Sequence, residues 1–304
     1  MPVRIGICGL GYMGMVYLDK ALKMGDVEVS ALIEKDRDKL NLLRCRFNIP
    51  CYEDYRNIEN GIDGVVIASP ASTHFEIAKF FLEKGVHVFV EKPLALTYEQ
   101  AFWLSKIAES KDLKIQVGFL ERYNPAFREG VKYLEDPIFF EARRIGPYPQ
   151  RSIDVDVVLD LMIHDLDLLS FIKKERVVSI DAGGVNFIGE GFDEAFAVLK
   201  FEDSTKGIFI ASRISSQRER SLRIIEEERI VNIDFLNVRL SIQSKKLGST
   251  DTKIFECEKK DLVKEELEDF IHYIKGEGEP LTKARDTLSA LYLAEKIKEA
   301  IGNS

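Results

Sequence analysis

Apolar residues in the first 120 positions fall into short continuous runs that alternate with segments of helical period. The run at residues 3–8 ends in Gly9-Leu10-Gly11-Tyr12-Met13-Gly14, and a helical pattern follows over 15–24. A second run, 27–33, stops at Glu34. Residues 64–69 read as a third buried strand, 75–85 as a helix with a glycine stop, 87–90 as a strand, 98–110 as a helix and 114–118 as another strand. Short apolar runs suit strands covered on both faces, and i, i+3, i+4 spacing suits the helices that cover them. Repeated strand-helix pairs predict a doubly wound parallel sheet with ligands outside the carboxyl ends of its strands.

Beyond residue 120 the pattern changes. Residues 138–144, 177–186, 195–201, 206–213, 221–225, 228–234 and 238–242 read as strands, several with period-two alternation. Consecutive strands without helices between them predict antiparallel pairing. Residues 157–171 and 262–273 read as helices, and the charged stretches 217–220 and 226–229 as hairpin connections or solvated strand ends. Trp103 reads as a packing residue of the core or of an interface. The chain of 304 residues is long enough for two cores. Its expected division is a dinucleotide-binding α/β domain over 1–120 and a second, α+β domain over 121–304.

Composition narrows the function. An apolar fraction of 45% with 31% charged residues describes a folded globular chain. No run reaches the roughly 18 uncharged apolar residues of a membrane span. Met1 leads straight into a strand, without a basic segment and apolar core, so a cytoplasmic protein with no membrane partner is expected. A net charge of −8 argues against a nucleic-acid partner, because the phosphate backbone selects basic faces. Cys8, Cys45, Cys51 and Cys257 lack metal-ligand spacing and read as reduced thiols, and no metal site is expected.

The glycine turn carries the first chemistry. Gly9 suits a tight turn, Gly11 lets the backbone approach a pyrophosphate, and Gly14 lets helix and strand pack closely. The helix start behind Tyr12 and Met13 offers amide donors and a positive dipole end. Glu34 ends the next strand, where a carboxylate accepts from ribose hydroxyls and repels a 2′-phosphate. NAD is therefore expected over NADP, with Lys35 and Arg37 as nearby opposing charges. Ser69-Pro70 and Glu91-Lys92-Pro93 follow two further strands and so fall where this fold binds ligands. His74, at a helix start, suits a cap or packing role as well as a cofactor contact. In the second region Asp160 and His164 are four residues apart on an apolar helix, which projects them from one face. A carboxylate that fixes the tautomer of a histidine makes an orienter and a general base.

These motifs, in order, resemble the Gfo/Idh/MocA oxidoreductases. The resemblance rests on the glycine turn, Pro70 with Thr73-His74, Glu91-Lys92-Pro93, Gly118-Phe119 leading to Arg122-Tyr123-Asn124-Pro125, and Asp160-x-x-x-His164-x-x-Asp167. It extends to residues 262–270, Pro280 and a closing helix over 284–301. The resemblance implies a Rossmann domain that binds nicotinamide dinucleotide at Gly9, Gly11, Tyr12, Met13, Gly14, Glu34, Ser69, Pro70, His74, Glu91 and Lys92. It also implies a substrate domain with a large open, mostly antiparallel sheet, assembly as a homodimer or homotetramer, and a cis peptide at Lys92-Pro93. Lys92, Asp160 and His164 match the family's catalytic group, and Arg122, Tyr123 and Asn124 join them as implied substrate contacts. One departure is visible. Many members carry glycines before and within the Asp-to-His segment, where this chain reads Asp156-Val157-Val158-Leu159 and Leu161-Met162.

Oxidation of a secondary alcohol needs a base for the hydroxyl proton while a hydride leaves the same carbon. His164 is the expected base, Asp160 its orienter and Lys92 the donor to the reacting oxygen. The wording around Asp160 and Gly118 is similar to the branch that oxidises nucleotide sugars, the UDP-N-acetylglucosamine 3-dehydrogenases. A diphosphate substrate would need cations, for which Arg122, Arg143, Arg144, Arg151 and Arg213 are candidates. Two alternatives accompany this reading: a dehydrogenase of free sugars, inositols or related polyols, and a noncatalytic dinucleotide-binding regulator.

Overall fold

The computed structural model describes residues 1–58, 61–148, 154–188 and 191–302. The chain forms two compact units, Met1–Leu120 with Asp261–Leu288, and Glu121–Lys260 with Ser289–Ser304. In the first, β1 (Val3–Cys8), α1 (Tyr12–Ala21), β2 (Val27–Ile33), α2 (Arg37–Arg46), β3 (Cys51–Tyr52), β4 (Gly64–Ile67), α3 (His74–Glu83), β5 (His87–Glu91), α4 (Tyr98–Ser110) and β6 (Ile115–Gly118) follow one another. Their strands pair in parallel in the order β3-β2-β1-β4-β5-β6. This is the doubly wound arrangement, whose winding direction reverses beside β1, at the end of which the glycine turn lies. Ile5, Ile7, Val65, Val66, Val88 and Phe89 are fully buried, as strands covered on both faces must be. Trp103 is not in this core: on α4 it is 56% exposed.

In the second unit, α5 (Pro125–Gly130) and β7 (Phe139–Ile145) precede a π-helical segment, Val158–Met162, that runs directly into α6 (Ile163–Ile172). Seven strands follow: β8 (Val177–Val185), β9 (Glu194–Phe201), β10 (Lys206–Ser212), β11 (Glu219–Ile225), β12 (Arg229–Asp234), β13 (Arg239–Lys246) and β14 (Ser249–Glu256). They join β7 in one sheet of order β14-β13-β12-β11-β7-β10-β9-β8. Every pairing is antiparallel except β7 with β10. The expected large, mostly antiparallel sheet is therefore present. Its inner face reads off the alternation: Phe140, Ala142 and Arg144 of β7 are buried while Phe139, Glu141 and Arg143 are not. Of the stretch 217–220, expected as a hairpin connection or a solvated strand end, Glu219 and Arg220 form the outer end of β11.

The last part of the chain departs from the expected division at residue 120. The helix α7 (Leu262–Lys275) packs with the first unit. Its cause is an apolar stripe of helical period, Leu267, Phe270, Ile271 and Ile274, started by an Asp261 cap that accepts from the Lys264 amide and stopped by Gly276 at φ +72°. Phe270 lies 5.7 Å from the Phe89 ring. Gly64 makes room for the contact, since a Cβ there would stand 2.7 Å from Ile274 Cδ1. Burying three such side chains stabilises the contact by about 1.5–3 kcal/mol each. The final helix, α8 (Ala284–Gly302), follows.

Candidate active site

Each glycine of the first turn has a different reason to be glycine. Gly9 has φ +84°, and a Cβ on it would stand 2.5 Å from the Ser69 amide nitrogen. A Cβ on Gly14 would stand 1.9 Å from the Gly9 carbonyl oxygen, so α1 could not seat against β1. Gly11 is the N-cap of α1 with an ordinary φ of −63°, and a Cβ there would meet nothing within 4 Å. Nothing inside the protein requires glycine at 11. Backbone open on that side, at a helix start that no side chain caps, is what an approaching diphosphate uses. Tyr12 and Met13 form the first turn of that helix, Tyr12 being 62% exposed.

Glu34 reaches the same turn. Its carboxylate accepts from the Leu10 amide at 3.1 Å and from the Asp36 amide at 3.1 Å, and Lys39 Nζ stands 3.4 Å away. Arg37 is turned elsewhere, paired with Glu53 at 2.9 Å. The cation at Glu34 is therefore Lys39, two residues beyond Arg37 in the first turn of α2, which sequence spacing alone did not single out. The uncapped helix start, the open Gly11 and the carboxylate at the end of β2 together fit a dinucleotide whose ribose hydroxyls meet Glu34.

The loops after β4 and β5 are tied together by His74. Its buried ring stands 2.7 Å from the Pro93 carbonyl through Nδ1 and 2.9 Å from the Ser69 carbonyl through Nε2. This is the packing role, exercised on the loops that carry Ser69, Pro70 and Lys92. Ser69 Oγ also lies 2.7 Å from Thr73 Oγ1. Glu91 turns inward, where Tyr17 donates to Oε1 at 2.8 Å, and Gly118 lies beneath its carboxylate. Lys92 is half-buried, and the Lys92-Pro93 peptide is cis.

In the second unit Asp160 lies in the π-helical segment and His164 in the first turn of α6. The sequence predicts one α-helix across both; the structure inserts a wider turn. That turn starts where the Asp156 carboxylate accepts from the Val158 and Leu159 amides at 3.0 and 3.2 Å. Such π turns recur at functional sites. Asp160 is 7% exposed and His164 half-buried, in a segment otherwise apolar on all sides: Leu159, Met162, Ile163, Leu166, Leu168 and Leu169 are all buried. A helix apolar all round is a core helix, so the polar groups on it are exceptions that need a reason.

Asp165 and Asp167 have theirs. Arg144 donates to Asp165 at 2.8–3.2 Å and to Glu121 at 2.8 Å, and Arg122 donates to Asp167 at 2.6 and 2.7 Å. Burial works against the Arg144 charge, but the two facing carboxylates overcome it and hold the guanidinium above its usual range. Arg213 likewise donates to Asp193 at 2.8 Å. Three of the arginines expected at a substrate diphosphate are thus buried in ion pairs. Arg143 pairs with Glu219 at 3.1 Å, and Arg151 lies outside the described residues. Asn124 caps α5 by accepting from the Ala126 amide, with Pro125 at the first helical position, and Tyr123 is 2% exposed. Arg122, Tyr123 and Asn124 are thus all buried, with Arg122 held against Asp167 of α6. A cation not singled out in the sequence is Arg220 of β11, whose side chain is half exposed and stands 3.7 Å from Glu121 beside the Arg144 cluster.

Comparison with known proteins agrees with this architecture. Residues 3–119 match the model of an oxidoreductase family with an NAD-binding Rossmann fold, described as GFO/IDH/MocA, and residues 140–231 match a C-terminal domain of the same grouping. The chain is 29% identical to UDP-N-acetylglucosamine 3-dehydrogenase of Acidithiobacillus ferrooxidans, over 90% of this chain and 88% of that one. It is 25% identical to myo-inositol 2-dehydrogenase of Thermotoga maritima, over 98% and 96% respectively. A solved structure of the Acidithiobacillus ferrooxidans enzyme superimposes with a TM-score of 0.92 at 27% identity, covering 100% of this chain and 99% of the other.

Proposed function

We propose, for a chain that belongs to the Gfo/Idh/MocA family of NAD-binding oxidoreductases, that the substrate is a nucleotide sugar such as UDP-N-acetylglucosamine. The hydroxyl on its carbon 3 is the one oxidised. The observation that carries this reading is the full-length likeness to the Acidithiobacillus ferrooxidans enzyme, which runs through the sheet-bearing unit as well as the cofactor-binding one. A half-exposed Arg220 beside the helix that carries His164, in a looser contact with Glu121 at 3.7 Å, supports it, because a diphosphate needs an accessible cation.

The residues divide the work as follows. The uncapped start of α1 at Gly11 and the Glu34 carboxylate hold the dinucleotide, which when bound supplies the hydride acceptor. His164 takes the hydroxyl proton, and Asp160 orients its ring and stabilises the imidazolium. Lys92 donates to the reacting oxygen as negative charge develops on it, which contributes about 3 kcal/mol in comparable sites. Arg220 binds the diphosphate.

The second reading, oxidation of a free polyol, is favoured by the likeness to myo-inositol 2-dehydrogenase over nearly the whole chain. Purified protein with NAD should form reduced cofactor, followed by absorbance, with UDP-N-acetylglucosamine and not with myo-inositol or free hexoses. A clear signal with myo-inositol and none with the nucleotide sugar reverses the order. Tight NAD binding with no turnover on the whole panel leaves the regulator.

A further inference from the structure

Tyr17 lies between two carboxyl groups. Its hydroxyl oxygen stands 2.8 Å from Glu91 Oε1 and 3.1 Å from Glu266 Oε2. Tyr17 and Glu266 are both fully buried, and the three side chains come from α1, β5 and α7. A phenol carries one proton and donates to one acceptor. With both carboxyls ionised, the second would face the phenol oxygen lone pair to lone pair, with two negative charges in a dry interior, an arrangement that costs far more than a shared proton.

We propose that Glu266 is held as a neutral carboxylic acid that donates to Tyr17, which in turn donates to Glu91. One trapped proton thereby fixes the carboxylate next to Lys92. The direction of the chain follows from what faces each end. Burial raises the Glu91 carboxyl too, but there the Tyr17 hydroxyl, the Lys92 charge and the Lys92 amide all favour the ionised form, and no like charge adds to the burial. Glu266 is desolvated first and foremost, then faces the like charges of Glu91 and Asp269, against the Tyr17 hydroxyl and the Phe119 amide, and its carboxyl lies well above the ordinary range. Burial, then Glu266 and Glu91, push the Tyr17 phenol well above its own range, so it stays protonated and able to donate.

The consequence falls on Lys92, and this part rests on the catalytic role proposed for it. Its two neighbours are anchored independently, Glu91 by Tyr17 and the Pro93 carbonyl by His74. Glu266 and Tyr17 are positioning residues: they act on the reaction through the segment that carries Lys92.

The trapped proton also sets a sign for pH. Unfolded Glu266 ionises near 4.5, whereas the folded group keeps its proton. The contribution is fully present below that pH and is lost as pH rises toward the folded value, by up to a factor of roughly ten in the unfolding constant per pH unit.

Infrared spectroscopy of the full chain with NAD tests this directly. At pH 7 the spectrum should show the carbonyl stretch of a protonated carboxyl that disappears in Glu266→Gln and persists in Asp269→Asn. A band that survives Glu266→Gln overturns the proposal, as does a wild-type spectrum with no protonated carboxyl, which needs no variant to fold. Tyr17→Phe should lower kcat about tenfold with KM for NAD within threefold. The band present with turnover unmoved in Tyr17→Phe refutes the positioning of Lys92 while leaving the trapped proton standing.

Discussion

The two units bury charge by opposite means. In the second, arginines meet carboxylates: Arg144 with Asp165 and Glu121, Arg122 with Asp167, Arg213 with Asp193. In the first, two carboxyls meet across a phenol and a proton takes the place of the cation. Paired ions compensate their desolvation at any ordinary pH, whereas a protonated acid does so only while the proton stays. The difference teaches where each unit is vulnerable: the second to loss of one partner, the first to alkali.

The largest expected effect breaks the paired side. Arg144→Met strands Asp165 and leaves Glu121 only the more distant Arg220, and stability in urea should fall by about 3–5 kcal/mol. A loss under 1 kcal/mol would show the cluster to be incidental. Next comes His164, the half-buried histidine in the first turn of α6. His164→Ala should lower kcat by at least about two orders of magnitude with NAD affinity retained; turnover close to wild type removes it as the base. Arg220→Ala should raise KM for a nucleotide sugar about tenfold, the scale of one charge-assisted contact, and leave kcat nearly unmoved. A fall in kcat at constant KM would move Arg220 from substrate binding to the chemistry.

The smallest effect separates the two units by the sign of their pH response. In the second unit the hydrogen bond from Lys173, at 2.5 Å, holds the Asp203 carboxyl down to about 2. Stability from that pair is present above the ordinary value of 3.8 and is lost as pH falls through about 2. Asp203→Asn should flatten the acid limb of a stability profile slightly and leave the alkaline limb, where Glu266 acts, as it was. A change in the alkaline limb instead would undo the assignment.

What the sequence discloses follows how local each cause is. The glycine turn was legible because its spacing falls within one strand-turn-helix pattern, in which Gly14 answers to the Gly9 carbonyl five residues before it. Five strands of the first sheet were legible as apolar runs, most of their residues being buried, whereas β3, two half-buried residues, was not. β14 was missed for the opposite reason: Ser249–Glu256 is exposed along nearly its whole length and has no apolar face to reveal. α2 was missed because only Leu40 and Leu43 of its ten residues are buried. The cap at Asn124 did have a signal, since Asn before Pro at a helix start is a common N-cap pattern. Arg122 and Glu91 had none. Their partners, Asp167 and Tyr17, lie 45 and 74 residues away, and nothing in a motif says whether a charged side chain faces a ligand or a buried partner. The π turn before His164 was hidden because a four-residue spacing reads alike in both helix types. The segment Asp261–Leu288 joins the first unit through packing that the order of motifs along the chain does not encode.

The central claim is that this chain removes a hydride from carbon 3 of a nucleotide sugar. UDP-N-acetylglucosamine carrying deuterium at that carbon, incubated with the protein and NAD, tests it most directly. Deuterium recovered in the reduced cofactor is the predicted result. Deuterium kept on the sugar, while unlabelled myo-inositol is oxidised by the same preparation, would contradict it.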